Sequence, residues 1–321
     1  MRGMMSNARQ QQLLTLSLLS GGLAWAAAWG YHGRWAMAAW ALALLVPHVP
    51  ALALELLWAS RLARPSPVRQ VWGDAQAPVQ PFPGLRQWLT AGWREVLWGM
   101  RIFGWQHPWA HAAEADHLPS NARGRRGVLL VHGFYCNRGF WNTWMPHLRQ
   151  AGVPFVAITL EPPQADIAEQ ARGLQQAWLK LIEVTGLEPL WVGHSMGGLA
   201  IRSWLAAQSD EVAGRQEVIT IGSPHHGTAL AAWAHSPAAL QMRMGSDFLH
   251  NLNARDTPAS LSRFTCYWSV CDNVVFPAHS ATLAGARNIH LPGLPHVGLA
   301  MAAPILDDVL QRLADQPAEH S

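Results

Sequence analysis

From residue 127 onward, short apolar runs of β type alternate with amphipathic helical patterns, and this alternation constrains the fold more than any other feature of the chain. The runs are residues 127–131, 153–160, 190–192, 218–221, 264–268 and 289–291. Helical patterns fall between some of them, notably 165–184 and 196–207. Continuous apolar runs bounded by turn residues are strands buried on both faces. Such strands, separated by helices, predict a mostly parallel sheet covered by helices on both sides. In such a sheet reactive groups belong at the carboxyl ends of the strands, so the polar residues just after each run are the candidates.

The third run, Leu190-Trp191-Val192, leads into Gly193-His194-Ser195-Met196-Gly197 and then into a helical pattern. A serine on a sharp strand-to-helix turn needs small residues two before and two after it, because larger side chains there would clash. The turn exposes the hydroxyl, and the next helix aims its N-terminal dipole at it. Ser195 is the candidate nucleophile. A serine needs a base, and the base needs an orienting carboxylate, in the chain order serine, acid, histidine. Asp272 lies just beyond the run 264–268, and His296 follows the run ending at Leu291. Asp256 and Asp247 follow no convincing strand; His290 lies inside one, and His279 is too close behind Asp272. The first run is followed by His132-Gly133-Phe134, where the Phe134 N–H can pair with the Met196 N–H to hold an oxyanion. His132 reads as a loop-stabilising residue. The adjacent His225 and His226 read as a loop beside the pocket and not as metal ligands.

Together, Val131-His132-Gly133-Phe134, Gly193-His-Ser-Met-Gly-Gly198, Gly222-Ser-Pro-His-His-Gly227, Asp272 and His296 resemble an α/β-hydrolase of the bacterial lipase/esterase type, over about residues 127–313. The resemblance implies an α/β-hydrolase fold, an acyl-enzyme on Ser195, and neither metal nor organic cofactor. Residues 228–261, between two strands and partly apolar, are expected to form a small cap or lid. The catalytic domain is expected to span 111–321.

The N-terminal part differs in character. Residues 11–29 and 35–54 carry no charge, and each run is about long enough to cross a bilayer as a helix. They predict a two-helix transmembrane hairpin within residues 1–64. Arg2 and Arg9 precede it, Arg34 is alone in the turn, and Arg61, Arg64 and Arg69 follow. The bias of basic residues toward the inside puts the catalytic domain on the cytoplasmic side of the inner membrane, with a periplasm-facing domain as the alternative. Residues 65–110 divide into a Pro-rich linker, to residue 83, and a Trp-rich amphipathic helix over 85–103. The helix either lies on the membrane surface or packs on the catalytic domain.

Charged residues make up 13% of the chain, about half the usual share, which excludes a disordered polymer. The net charge of +3 gathers near the N-terminus and points to no nucleic-acid partner. Three cysteines exclude a disulfide scaffold and a four-thiolate zinc site. The expected function is a membrane-anchored serine hydrolase acting on lipid-like carboxylic esters. An acyltransferase using the same three side chains and a non-catalytic membrane-anchored binding protein remain alternatives; the oligomeric state is not legible.

Overall fold

The computed structural model of the chain describes residues 6–28, 83–163 and 165–315. Helix α1 (Asn7–Ala28) covers most of the first uncharged run. Among the described residues, however, no helix is long and apolar enough to cross a membrane. The physical reason is the polar start of α1. Asn7 Nδ2 donates to Cys136 O at 2.7 Å, Gln11 Nε2 to Tyr135 O at 2.6 Å and Gln12 Nε2 to Pro108 O at 2.6 Å, so this end is fastened to protein. Leu13, Leu14, Leu16, Leu18 and Leu19 are exposed. The expected second hairpin helix, 35–54, and the Pro-rich linker up to residue 82 lie outside the described residues.

Helix α2 (Leu85–Arg101) forms where the three- and four-residue spacing predicted it and continues through a wider π turn, Ile102–Gln106. Its apolar residues split into two stripes. Trp88, Ala91 and Ile102 are buried, while Leu85, Leu89, Trp93, Leu97, Met100 and Phe103 are exposed. The helix therefore packs on the catalytic domain by one side and presents a second apolar side outward. Periodicity finds both stripes, but it does not say which of them meets protein.

The remainder is a six-stranded sheet in the order β2-β1-β3-β4-β5-β6, with every pair parallel. The strands are β1 (Val128–Val131), β2 (Phe155–Ala157), β3 (Leu190–His194), β4 (Glu217–Ile221), β5 (Phe264–Trp268) and β6 (Arg287–His290). Because successive side chains of a strand point to opposite faces, each apolar run feeds two cores. Leu129 and Val131 join one cluster with Trp191. Val128 and Leu130 join the other with Val192 and Ile219. Helices α3 (Ile167–Thr185) and α4 (Met196–Leu205) cover the first face through Ile167, Leu174, Leu181 and Leu199. The second face is covered by Phe140, Trp141 and Trp144, and by α5 (His296–Ala300) and α6 (Ala303–Ala314) through Leu299, Ile305 and Val309. Asp166 caps α3 by accepting from Glu169 N, and Gly186, at φ 74°, ends it. The chain leaves β1 outward to β2 and returns to β3 on the other side of β1. Crevices open at such reversals, and the elbow after β3 lies at this one.

Between β4 and β5 the expected cap segment folds as short helical pieces, Ala229–Trp233, Pro237–Gln241, Asp247–Asn253 and Pro258–Leu261. Ala231, Ala238, Met242, Leu249 and Leu252 share a core cluster with Met196 and Leu199 of α4.

Candidate active site

Ser195 sits between β3 and α4 with φ 54° and ψ −127°, a backbone conformation that non-glycine residues rarely adopt. Strain of this kind persists only where surrounding structure over-determines it. Here the Ser195 N–H donates to Ile221 O at 2.9 Å, which ties the turn to the end of β4. Met196 is the first residue of α4, so its N–H has no acceptor within that helix.

The next residue of β4's exit, Gly222, has φ +55°. A Cβ there would lie 3.0 Å from Asp272 Oδ2 and 3.2 Å from His296 Nδ1, so at this positive φ any larger residue would be strained and would crowd the pair. His296 Nδ1 and Asp272 Oδ2 are 2.9 Å apart, with side-chain exposures of 6% and 2%. Asp272 Oδ1 accepts from Val274 N at 2.9 Å and Val275 N at 2.8 Å, which fixes the carboxylate on its loop. With Nδ1 facing a carboxylate, Nδ1 carries the proton, and Nε2 is the nitrogen placed for proton transfer.

His194 and Asn273 complete the frame, and sequence reasoning missed both. The His194 ring lies 4.6 Å from that of His296 and is stacked on Phe140 at 4.5 Å. Its Nε2–H donates to His296 O at 3.2 Å. Burial and the neighbouring His296 keep His194 well below the ordinary histidine range, hence neutral. Asn273 Oδ1 accepts from His296 N at 3.1 Å. The backbone of His296 is thus held on one side by the residue after the acid and on the other by the residue before the serine.

The loop after β1 meets the elbow directly. A Cβ on Gly133 would lie 2.8 Å from Ser195 Cβ, so this glycine lets the loop approach the serine itself. His132 Nε2 accepts from Leu160 N at 2.9 Å, so its proton is on Nδ1, which donates to Gly133 O at 2.8 Å. Burial pushes its pKa down to about 4, as expected of a neutral ring that pins the loop before Phe134.

The weaker acids and bases lie elsewhere. Asp256 pairs with Arg202 at 2.6 Å, and Asp247 opens a helix. His290 packs on Trp268, and His279 lies in the turn Ala278–Ala281. His225 Nε2 meets Thr220 Oγ1 of β4 at 3.0 Å, and His226 Nε2 meets Thr282 O at 3.1 Å. Among the described residues no group of His, Cys, Asp and Glu could hold a metal ion. Cys136, Cys266 and Cys271 are buried and unpaired.

A second carboxylate was also missed. Glu95 of α2 accepts from Val297 N at 3.0 Å with each of its oxygens, and from Gly298 N at 3.2 Å. Its signal in the sequence is that it is the one acidic residue of Leu85–Arg101.

A serine on a strained strand-to-helix elbow, a buried acid–histidine pair one loop away and a parallel sheet define an α/β-hydrolase type of site. Residues 128–319 match the profile of the alpha/beta hydrolase family, and the chain belongs to that family. Among solved structures it is similar to a lipase of Bacillus licheniformis in its mature form, with 19% identity and a TM-score of 0.52, over 61% of this chain and 97% of that one. It is also similar to lipase B of Aspergillus fumigatus, with 20% identity and a TM-score of 0.50, over 61% of this chain and 55% of that one. At these identities the likeness is one of fold. No curated protein sequence matches the chain.

Proposed function

We propose that the chain is a serine hydrolase that cleaves carboxylic esters of lipid-like substrates at a membrane surface. The observation that carries the reading is the buried 2.9 Å contact between Asp272 and His296, beside an elbow that holds Ser195 in a strained conformation. In this mechanism Ser195 Oγ attacks the ester carbonyl carbon and His296 Nε2 takes its proton. Asp272 keeps the tautomer and stabilises the imidazolium. The N–H groups of Phe134 and Met196 hold the oxyanion. The tetrahedral intermediate collapses, the alcohol leaves with the proton from His296, and an acyl-enzyme remains. Water, activated by His296, then releases the acid.

The lipid part of the proposal rests on α1 and α2. The exposed leucines of α1 and the outward stripe of α2 offer apolar area, and Arg86, Arg94 and Arg101 of α2 are exposed among them. An apolar stripe flanked by guanidinium groups suits an anionic bilayer surface. The segment 228–261, with Trp233, Leu240 and Met244 exposed, is assigned as the cap through which an acyl chain enters. The catalytic domain is assigned to the cytoplasmic side; activity of alkaline phosphatase fused after Ser321 would overturn that.

The test uses the full chain in detergent with p-nitrophenyl esters of short and long acyl chains. Ser195→Ala and His296→Ala should abolish turnover, and a fluorophosphonate should label wild type but not Ser195→Ala. Equal turnover in all three sinks the reading. Product analysis with an added alcohol separates hydrolysis from acyl transfer.

A further inference from the structure

We propose that Glu95 is a positioning residue for the histidine base, through which α2 holds the backbone of His296 and supports its charged state. The inference deepens the hydrolase reading and rests on it for its kinetic part.

The geometry is specific. Three successive N–H groups, those of His296, Val297 and Gly298, open α5, and Pro295 before them offers no side-chain cap. Asn273 takes the first at 3.1 Å; Glu95 takes the second at 3.0 Å and the third at 3.2 Å. The Glu95 contact spans 202 residues of sequence and joins a helix outside the family-matching segment to the turn bearing the base.

Capping alone does not call for a charge. A glutamine of the same length would offer one acceptor oxygen to these amides without desolvation of an anion. Although the residue keeps some surface, its carboxylate is buried enough to lift its pKa to about 7. The ionisable groups facing it are His296, which favours its anionic form, and Asp272, which opposes it. His296 in turn faces His194, which is neutral. Attack by Ser195 turns His296 into a cation. A second carboxylate coupled to that ring is repaid when the cation forms, because an opposite charge favours the charged state. The buried charge is thus most useful at the moment of reaction.

The test compares Glu95→Gln and Glu95→Ala in the full chain. The imidazole titration of His296 is followed by NMR, with the resonance assigned by its loss in His296→Ala. Glu95→Gln, which keeps an acceptor and removes the charge, should move that titration to lower pH by about half a unit or more. It should also lower kcat about tenfold with KM within about twofold of wild type. Glu95→Ala, which removes both, should lower kcat further. Should Glu95→Ala fail to fold, Glu95→Gln alone carries the comparison. An unmoved titration in Glu95→Gln overturns the proposal, whether or not the melting temperature falls, since a packing residue alters stability only. The titration needs no turnover, so it judges Glu95 even if wild type cleaves no ester.

Discussion

Asp272 Oδ2 lies 2.9 Å from His296 Nδ1, and the same carboxylate is held from behind by the amides of Val274 and Val275. The acid is therefore fixed by its own loop before it meets the base. Asp272→Asn keeps the shape but presents an amide N–H to His296 and forces the wrong tautomer. We expect kcat to fall by about 10⁴ with KM little changed, read from steady-state ester hydrolysis. A loss under tenfold would remove Asp272 from the relay.

Asp256 provides the contrast. It pairs with Arg202, whose side chain is 2% exposed and also donates to Asn253 at 2.9 Å. Asp256→Ala strands a buried guanidinium. Its urea midpoint should correspond to a loss of about 3–5 kcal/mol, while turnover of the folded enzyme stays within about twofold.

Gly222→Ala places a Cβ against both members of the acid–base pair at a positive φ. The backbone penalty is about 1–3 kcal/mol, measurable by chemical denaturation. The contacts of 3.0 and 3.2 Å require the pair to give way slightly, so kcat should fall about tenfold, short of the roughly hundredfold that a 1 Å misplacement costs. Wild-type kinetics would show that the loop adapts.

The sign of the Glu95 effect on stability follows from its raised pKa. The folded carboxyl titrates near 7 and the unfolded one near 4.5. Between those values the folded chain keeps a proton that the unfolded chain has released, so stability falls as pH rises through this window. Glu95→Gln cannot titrate and escapes the decline. Relative to wild type it should be level at about pH 4.5 and more stable at about pH 8, by about 3 kcal/mol at most. Parallel urea midpoints for the two proteins across this range would contradict that.

The outward stripe of α2 can be tested without touching the site. Trp93 and Leu97 are 62% and 46% exposed. Trp93→Ser with Leu97→Ser should weaken flotation with anionic vesicles at least about tenfold, since each inserted side chain contributes about 1.5–3 kcal/mol. Turnover of a water-soluble short-chain ester should be unchanged. Undiminished flotation, or none by the wild type, would overturn the membrane role proposed for this stripe.

The sheet was legible because strands buried on both faces leave runs such as Val128-Leu-Leu-Val131 that have few other uses. Ser195 was legible because its turn tolerates only small flanking residues, and Asp272 and His296 because they follow strands. The supporting residues were not. Glu95 and His194 act through contacts with a backbone 202 and 102 residues away, and no local pattern encodes those. Asn273 was hidden by its neighbour Asp272. The stretch 11–29 shows the converse limit. Absence of charge suggested a span, but Asn7, Gln11 and Gln12 at the helix start turn that end toward the protein.

The contact from Glu95 to Val297 also changes where the working unit begins. Family likeness starts at Val128, and a fragment cut there would still carry Ser195, Asp272 and His296. It would shed α2 with its outward apolar stripe and, in the same cut, the carboxylate that accepts from Val297 and Gly298. Such a trimmed chain would also bare the surfaces that Trp88, Ala91 and Ile102 cover, so a sluggish fragment would say nothing about which ester is the right one.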